Sequence, residues 1–210
     1  MKAVLFDLAG TLHDRAQSVQ RYLRRHIGRF EVPAGYAERW TELDDLGYRP
    51  KREVFGQLVG EFTLKHDPEA LLQDFLDHAW NDLAPMPHAH VVLREVWRRG
   101  VRVGIVTNGL TVKQRACIRG LTIEGLIDDV IVSEAVKLRK PDPASFHLAL
   151  ERLGVTPDEA WYVGDSPQND VAGPQSAGLR AALFPGGHSL PPEIVPDARL
   201  EDLRGVLALV

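Results

Sequence analysis

The chain has 210 residues, enough for one sizeable core or a core with an insert. Its 44% hydrophobic and 26% charged residues exclude a disordered or low-complexity polymer. The net charge of -4 argues against a general nucleic-acid surface, and a single cysteine, Cys117, excludes an intramolecular disulfide framework and fits a reducing compartment.

The opening run MKAVLFDLAGTL is broken by Asp7, and its apolar part is too short for a signal peptide or a membrane span. The expected location is the cytoplasm, with no membrane partner. Lys2 to Phe6 reads as a buried parallel strand that opens at Asp7 into a tight loop holding Gly10 and Thr11. From Arg15 to about Pro85 apolar residues recur at helical spacing. They include Val19, Tyr22, Leu23 and Ile27, then Val54, Phe55, Leu58 and Val59. A further helix is expected from Pro68, with Leu71, Leu72, Phe75, Leu76, Ala79 and Trp80 on one face. The segment from Trp40 to Tyr48 reads as a loop between helices, with Trp40 itself a core residue.

After Pro85 and Pro87 helices and strands alternate. A helix over 89–99 ends at Gly100, and Val101 to Val106 is a strand running into Thr107, Asn108 and Gly109. A helix near 112–118 precedes a strand over 129–132. Another over 143–153 closes with Gly154, and Trp161 to Val163 is a strand ending in Gly164-Asp165-Ser166. A short helix before Gly178 leads to a last strand over 179–184. This alternation predicts an α/β fold, a Rossmann-like parallel sheet with helices on both faces. Residues 1–14 and 86–210 are expected to form that core, and 15–85 an inserted helical unit.

Ligands of open parallel sheets bind beyond the carboxyl ends of the strands. Asp7, Thr107, Asn108 and Asp165 all fall there, with Asn169 and Asp170 close behind. Clustered acids repel unless a cation neutralises them, and hard oxygen donors suit Mg²⁺. The loop at Gly10 exposes backbone N–H groups to an anion, and Lys140 adds a compact positive charge. These parts suit phosphoryl transfer, in which positioning and charge stabilisation do most of the catalysis.

FDLAGTL, VGIVTNG, RKPDP and YVGDSPQND, in that order, resemble the four motifs of the haloacid dehalogenase-like hydrolases. The resemblance spans the α/β core, and the insert is similar to that family's helical cap. It implies that Asp7 is the nucleophile. It also implies that Mg²⁺ is held by the Asp7 side chain, the Ala9 carbonyl and Asp165, with Asp170 supporting the metal's water. Gly10, Thr11, Thr107, Asn108 and Gly109 are then expected to bind the transferring group, and Lys140 to neutralise charge on Asp7 and the phosphoryl oxygens. The partner is a small anionic phosphorus-containing substrate, and the chain a monomer or homodimer.

At position 9 the chain departs from the pattern. Phosphatases of the family place there an aspartate that protonates the leaving group and then activates water, and this chain has Ala9. Such proton transfer is worth about 10²–10⁴-fold, so an impaired or unusual phosphatase is expected. Three alternatives remain: a phosphonoacetaldehyde hydrolase-like enzyme using Lys51 or Lys65 as a Schiff-base lysine, a 2-haloacid dehalogenase, and a binding protein that retains the fold. The remaining features read as structural. Lys51 is expected to be solvated in a first helical turn, and His13 to lie in a hinge loop. Arg15, Arg21, Arg24, Arg25 and Arg29 read as a solvated face, His88 and His90 as surface residues. Trp97 and Trp161 read as core or core-edge, and Cys117 as inert.

Overall fold

The computed structural model describes every residue from Met1 to Val210. Six strands, β1 (Ala3–Phe6), β2 (Arg102–Thr107), β3 (Asp129–Val132), β4 (Ala160–Gly164), β5 (Arg180–Leu183) and β6 (Ala198–Arg199), form one parallel sheet in the order β3-β2-β1-β4-β5-β6. Four helices follow β1: α1 (Arg15–Phe30), α2 (Tyr36–Asp44), α3 (Lys51–Glu61) and α4 (Pro68–His78). After them come α5 (Ala89–Arg98), α6 (Thr111–Gly120), the single-turn α7 (Ser133–Val136), α8 (Pro143–Leu153) and α9 (Gly173–Ser176). The chain divides into two compact units, Met1–Arg15 with Leu83–Val210, and Ala16–Asp82.

In the α/β unit the period-2 geometry of the strands sorts side chains into two layers. Val4 and Phe6 of β1 join Val103, Ile105 and Val163 against Val92, Leu93 and Val96 of α5 and Ile118 of α6. Ala3 and Leu5 point the other way with Val106 and Tyr162, against Phe146, Leu150 and Leu153 of α8. Both faces of the sheet are thereby covered, which is why β1 is apolar at every position. β1 lies between β2 and β4, with Phe6 level with Ile105 and Val163. All strands run the same way, so Asp7, Thr107 and Asp165 leave the sheet along one edge.

The helical unit packs around Tyr36, Trp40, Phe55, Leu58 and Leu71, all buried. Inside it lies a carboxylate, Asp74, which accepts from Tyr22 Oη at 3.0 Å, His26 Nδ1 at 2.8 Å and Arg29 Nε at 2.6 Å. Burial depresses the basicity of His26, although Asp74 opposes that shift. The neutral ring can accept from Tyr36 Oη through Nε2, at 3.1 Å. Burial alone would raise Asp74, but its hydrogen bonds from Arg29, His26 and Tyr22 carry it below the usual carboxylate range. A buried charge persists only when satisfied in this way.

Several expectations are corrected. Trp40 to Asp44 is not loop but the second half of α2; the chain turns only at Asp45 and Leu46, which take positive φ. Trp97 is 63% exposed, because it falls off the apolar stripe that Val92, Leu93 and Val96 present to the sheet. Leu76 faces outward and Trp80 lies beyond the end of α4, so neither extends the buried face. Lys51 is not solvated; its Nζ lies 2.7 Å from Asp44 Oδ1 and donates to the Arg49 carbonyl. The arginine strip is partly engaged as well, Arg21 and Arg25 with Asp82 and Arg29 with Asp74. The two-residue β6 was not anticipated, being too short to leave a pattern. Trp40 and Trp161 are buried as expected.

Replacing Asp74 with Ala strands the Tyr22 and His26 donors in an apolar core. The expected loss in urea denaturation of the intact chain is about 2–4 kcal/mol. A loss below about 0.5 kcal/mol would show that the network adds no stability.

Candidate active site

Asp7 is anchored by its own N–H, which donates to the Val163 carbonyl at 2.9 Å as β1 ends. The chain then folds back tightly. The N–H groups of Leu12 and His13 donate to Leu8 O at 3.0 and 2.8 Å, and Gly10 N–H donates to His13 O at 2.9 Å. Gly10 takes φ +92°, and a Cβ there would lie 2.4 Å from Asp165 Oδ2. Only glycine satisfies both the left-handed backbone and that close approach. Ala9 is half-buried on the same loop, and Thr11 Oγ1 is buried with no hydrogen-bond partner.

Beyond β4, Asp165 is followed by a π-helical turn over Pro167–Ala172. The turn starts at Ser166, whose N–H donates to Asp170 Oδ2 at 3.0 Å while its carbonyl receives Asp170 N–H at 2.7 Å. Asp170 is thus folded back beneath Gly164, where an added Cβ would stand 2.4 Å from its side chain.

Lys140 enters from the loop between α7 and α8. The side-chain amide of Asn108 grips its backbone in both directions: Lys140 N–H donates to Asn108 Oδ1 at 3.0 Å, and Asn108 Nδ2 donates to Lys140 O at 3.0 Å. Asn108 therefore fastens the lysine loop to the end of β2. The Lys140 ammonium is buried and donates to Asp7 Oδ1, Asp170 Oδ1 and Tyr162 Oη, each at 2.7 Å. Its three hydrogens are all engaged. Thr107 is buried at the end of β2, and Gly109 N–H donates to Ser133 Oγ at 3.0 Å.

Asp7, Asp165 and Asp170 each offer an oxygen, and these atoms lie within 4.8 Å of one another. Burial is the chief cause of the perturbed acidity of Asp7 and Asp165. It pushes Asp7 up to about 6 despite the opposing charge of Lys140, and Asp165 up to about 7, with the Asp7 and Asp170 charges adding to the shift. Lys140 would lose basicity by burial, but Asp170 and Asp7 more than restore it. Three carboxylates around one ammonium are an oxygen donor set with negative charge to spare, the kind a hard divalent cation takes.

Sequence reasoning missed two residues here. Tyr162 was absorbed into the strand pattern, where an aromatic reads as core. His188, in the loop after β5, brings Nε2 to 3.9 Å from Asp165 Oδ2, with no local motif to mark it. His13 lies in the loop after β1 and is buried, and burial lowers it to about 4. Cys117 is buried and its thiol is pushed up to about 12 by burial, so it is unreactive.

A profile of the haloacid dehalogenase-like hydrolases matches residues 4–184. The chain belongs to that family. The hydrolase is 32% identical to the glyceraldehyde 3-phosphate phosphatase of Methanopyrus kandleri, over 100% of this chain and 97% of that protein. It is 37% identical to the phosphoglycolate phosphatase of Rhodospirillum rubrum, over 91% and 82% of the two chains. Its fold matches the magnesium-bound hydrolase YfnB of Bacillus subtilis with a TM-score of 0.83 at 22% identity, over 99% and 97% of the chains.

Asp7 and Asp165 hold their protons more tightly when folded than the ordinary carboxylate value of 3.8. Their contribution to stability is therefore full at acid pH and is lost as pH rises through 6 and 7, the reverse of a salt-bridged carboxylate. His13 has the opposite sign, losing stability as pH falls from 6.5 toward 4. A cation at the cluster competes with the Asp7 and Asp165 protons only. The rise in melting temperature on adding magnesium chloride should thus be larger at pH 8 than at pH 5.5. An equal rise at both would separate cation binding from these two acids.

Proposed function

We propose that the hydrolase is a Mg²⁺-dependent phosphatase of small phosphorylated metabolites, working through an aspartyl-phosphate on Asp7. The observation that carries this reading is the buried cluster of Asp7, Asp165 and Asp170 around the Lys140 ammonium. The relatives support the substrate class, since the phosphatases of M. kandleri and R. rubrum are named for phosphate esters of three or two carbons.

The residues fit the implied cation. Asp7 and Asp165, with the carbonyl of Ala9, would hold it, and Asp170 would support its water. Bound Mg²⁺ supplies positive charge that shields the carboxylate nucleophile from an anionic phosphoryl group. The chain's own groups do the rest. An Asp7 oxygen attacks phosphorus, the new O–P bond forms as the ester O–P bond breaks, and the alcohol oxygen leaves with the bonding pair. Lys140 keeps Asp7 ionised and oriented. The unpartnered Thr11 hydroxyl, in the loop after β1, would donate to a phosphoryl oxygen. Water then hydrolyses the acyl-phosphate and returns the Asp7 carboxylate.

Ala9 has no proton to give, so the leaving oxygen must take one from solvent. This favours esters whose alcohols leave easily and leaves ordinary alkyl phosphates slow. His13 does not replace the acid, because burial keeps it neutral above about pH 4. We read residues 16–82 as the cap that selects the substrate. The Schiff-base alternative is disfavoured by Lys51, whose ammonium is taken up by Asp44 and the Arg49 carbonyl and is 13% exposed. The haloacid dehalogenase alternative leaves the three-carboxylate cluster without a purpose.

Asp7→Asn is expected to abolish Mg²⁺-dependent release of phosphate from a panel of phosphate monoesters; undiminished turnover removes the nucleophile assignment. Ala9→Asp should raise kcat on alkyl phosphates by about 10²–10⁴-fold, and no gain would mean that another group already carries the proton.

A further inference from the structure

The mechanism above uses the Lys140 ammonium but not the one neutral group that touches it. Tyr162 lies on β4 with its ring wholly buried, edge-on to Phe146 with ring centroids 5.2 Å apart. Its hydroxyl donates to the Val106 carbonyl at 2.9 Å. A phenol has one proton, so toward Lys140 Nζ, at 2.7 Å, this oxygen can only accept. Burial holds the phenol protonated, well above its ordinary value, so it cannot exchange these roles by ionising.

The direction of both hydrogen bonds is thereby set by the sheet itself. Val106 belongs to β2 and Tyr162 to β4, the two strands on either side of β1, which ends in Asp7. The hydroxyl bridges across β1 and presents a lone pair to the ammonium.

We propose that Tyr162 is a positioning residue for the reaction, holding the Lys140 ammonium in register with Asp7 through its hydroxyl. The chemistry explains why a neutral acceptor stands there. Asp7, Asp165 and Asp170 already exceed Lys140 in charge, and a fourth carboxylate would worsen their repulsion. A purely apolar residue would leave one ammonium hydrogen in a dry site with no acceptor. The phenol completes the ammonium without adding charge. Asn108 fixes the same lysine at its backbone, so Lys140 is held at both ends of its side chain.

This inference about catalysis rests on the phosphatase reading, whereas the hydrogen bond to Lys140 does not, and the test separates them. Tyr162→Phe keeps the ring, its packing on Phe146 and its face toward Lys140, 5.3 Å from the ring centroid to Nζ, and deletes only the hydroxyl. With 4-nitrophenyl phosphate, kcat is expected to fall roughly tenfold, the effect of one hydrogen bond to a charged group. KM should stay near wild type, while the melting temperature falls because a buried ammonium hydrogen and the Val106 carbonyl lose their partner. Phe146→Leu disturbs the same packing and keeps the hydroxyl; it should lower the melting temperature and leave kcat per folded molecule unchanged. Independently of turnover, ¹H–¹⁵N spectra of lysine-labelled protein should show a slowly exchanging ammonium, assigned by its loss in Lys140→Met. Its hydrogen exchange should quicken at least about tenfold in Tyr162→Phe. Wild-type kcat and exchange in Tyr162→Phe, or an equal loss of kcat in Phe146→Leu, would overturn the proposal. Quickened exchange in a chain whose turnover survives Asp7→Asn would uphold the clamp and place the failure in the phosphatase reading.

Discussion

The α/β unit is arranged around one buried ammonium. Two carboxylates about 4 Å apart repel by roughly 4 kcal/mol at the effective dielectric of a protein, and three of them meet at this strand edge. Lys140 offsets part of that repulsion, and the surrounding geometry exists to keep it in place. Asn108 ties its backbone to the end of β2, Tyr162 takes its third hydrogen, and Asp7 and Asp170 take the other two. Gly10 and Gly164 make room for Asp165 and Asp170 to come this close. A larger residue at either position would push a carboxylate out of the cluster.

The two units handle buried charge in opposite ways. In the helical unit Asp74 is fully answered by Arg29, His26 and Tyr22, and its acidity is strengthened. That network is closed and has a structural character. In the α/β unit the acids outnumber their one cation, and Asp7 and Asp165 are driven toward retaining protons at neutral pH. Surplus negative charge in a dry site is costly, and a protein keeps it where a ligand will neutralise it. The imbalance, more than the mere presence of acids, marks the edge of β1 and β4 as the working face.

In the proposed reaction, position 9 keeps a binding contact and lacks a proton-transfer group. The contact expected from residue 9 to a cation is a carbonyl, which every residue has, whereas proton transfer needs a particular side chain. The alanine leaves the Lys140 contacts and the carboxylate cluster intact. His13 is buried and neutral, and Cys117 is too weakly acidic to serve.

The amino-acid order by itself determined the family, the parallel α/β sheet and the residues at its carboxyl edge, because those depend on local signals. Apolar runs that end in Asp7, Thr107 or Asp165 are strands whatever surrounds them, and the ordered motifs keep their spacing. The alanine at position 9 is likewise read directly. What only the tertiary structure decided were contacts between residues far apart in the chain. Asn108 and Lys140 are thirty-two positions apart, and their mutual grip has no sequence period. Tyr162 looks like any strand aromatic until its hydroxyl is found beside Lys140. Lys51 and Trp97 exchanged their expected surroundings for the same reason: burial depends on what other elements bring to a position, and that is a property of packing, not of the local pattern.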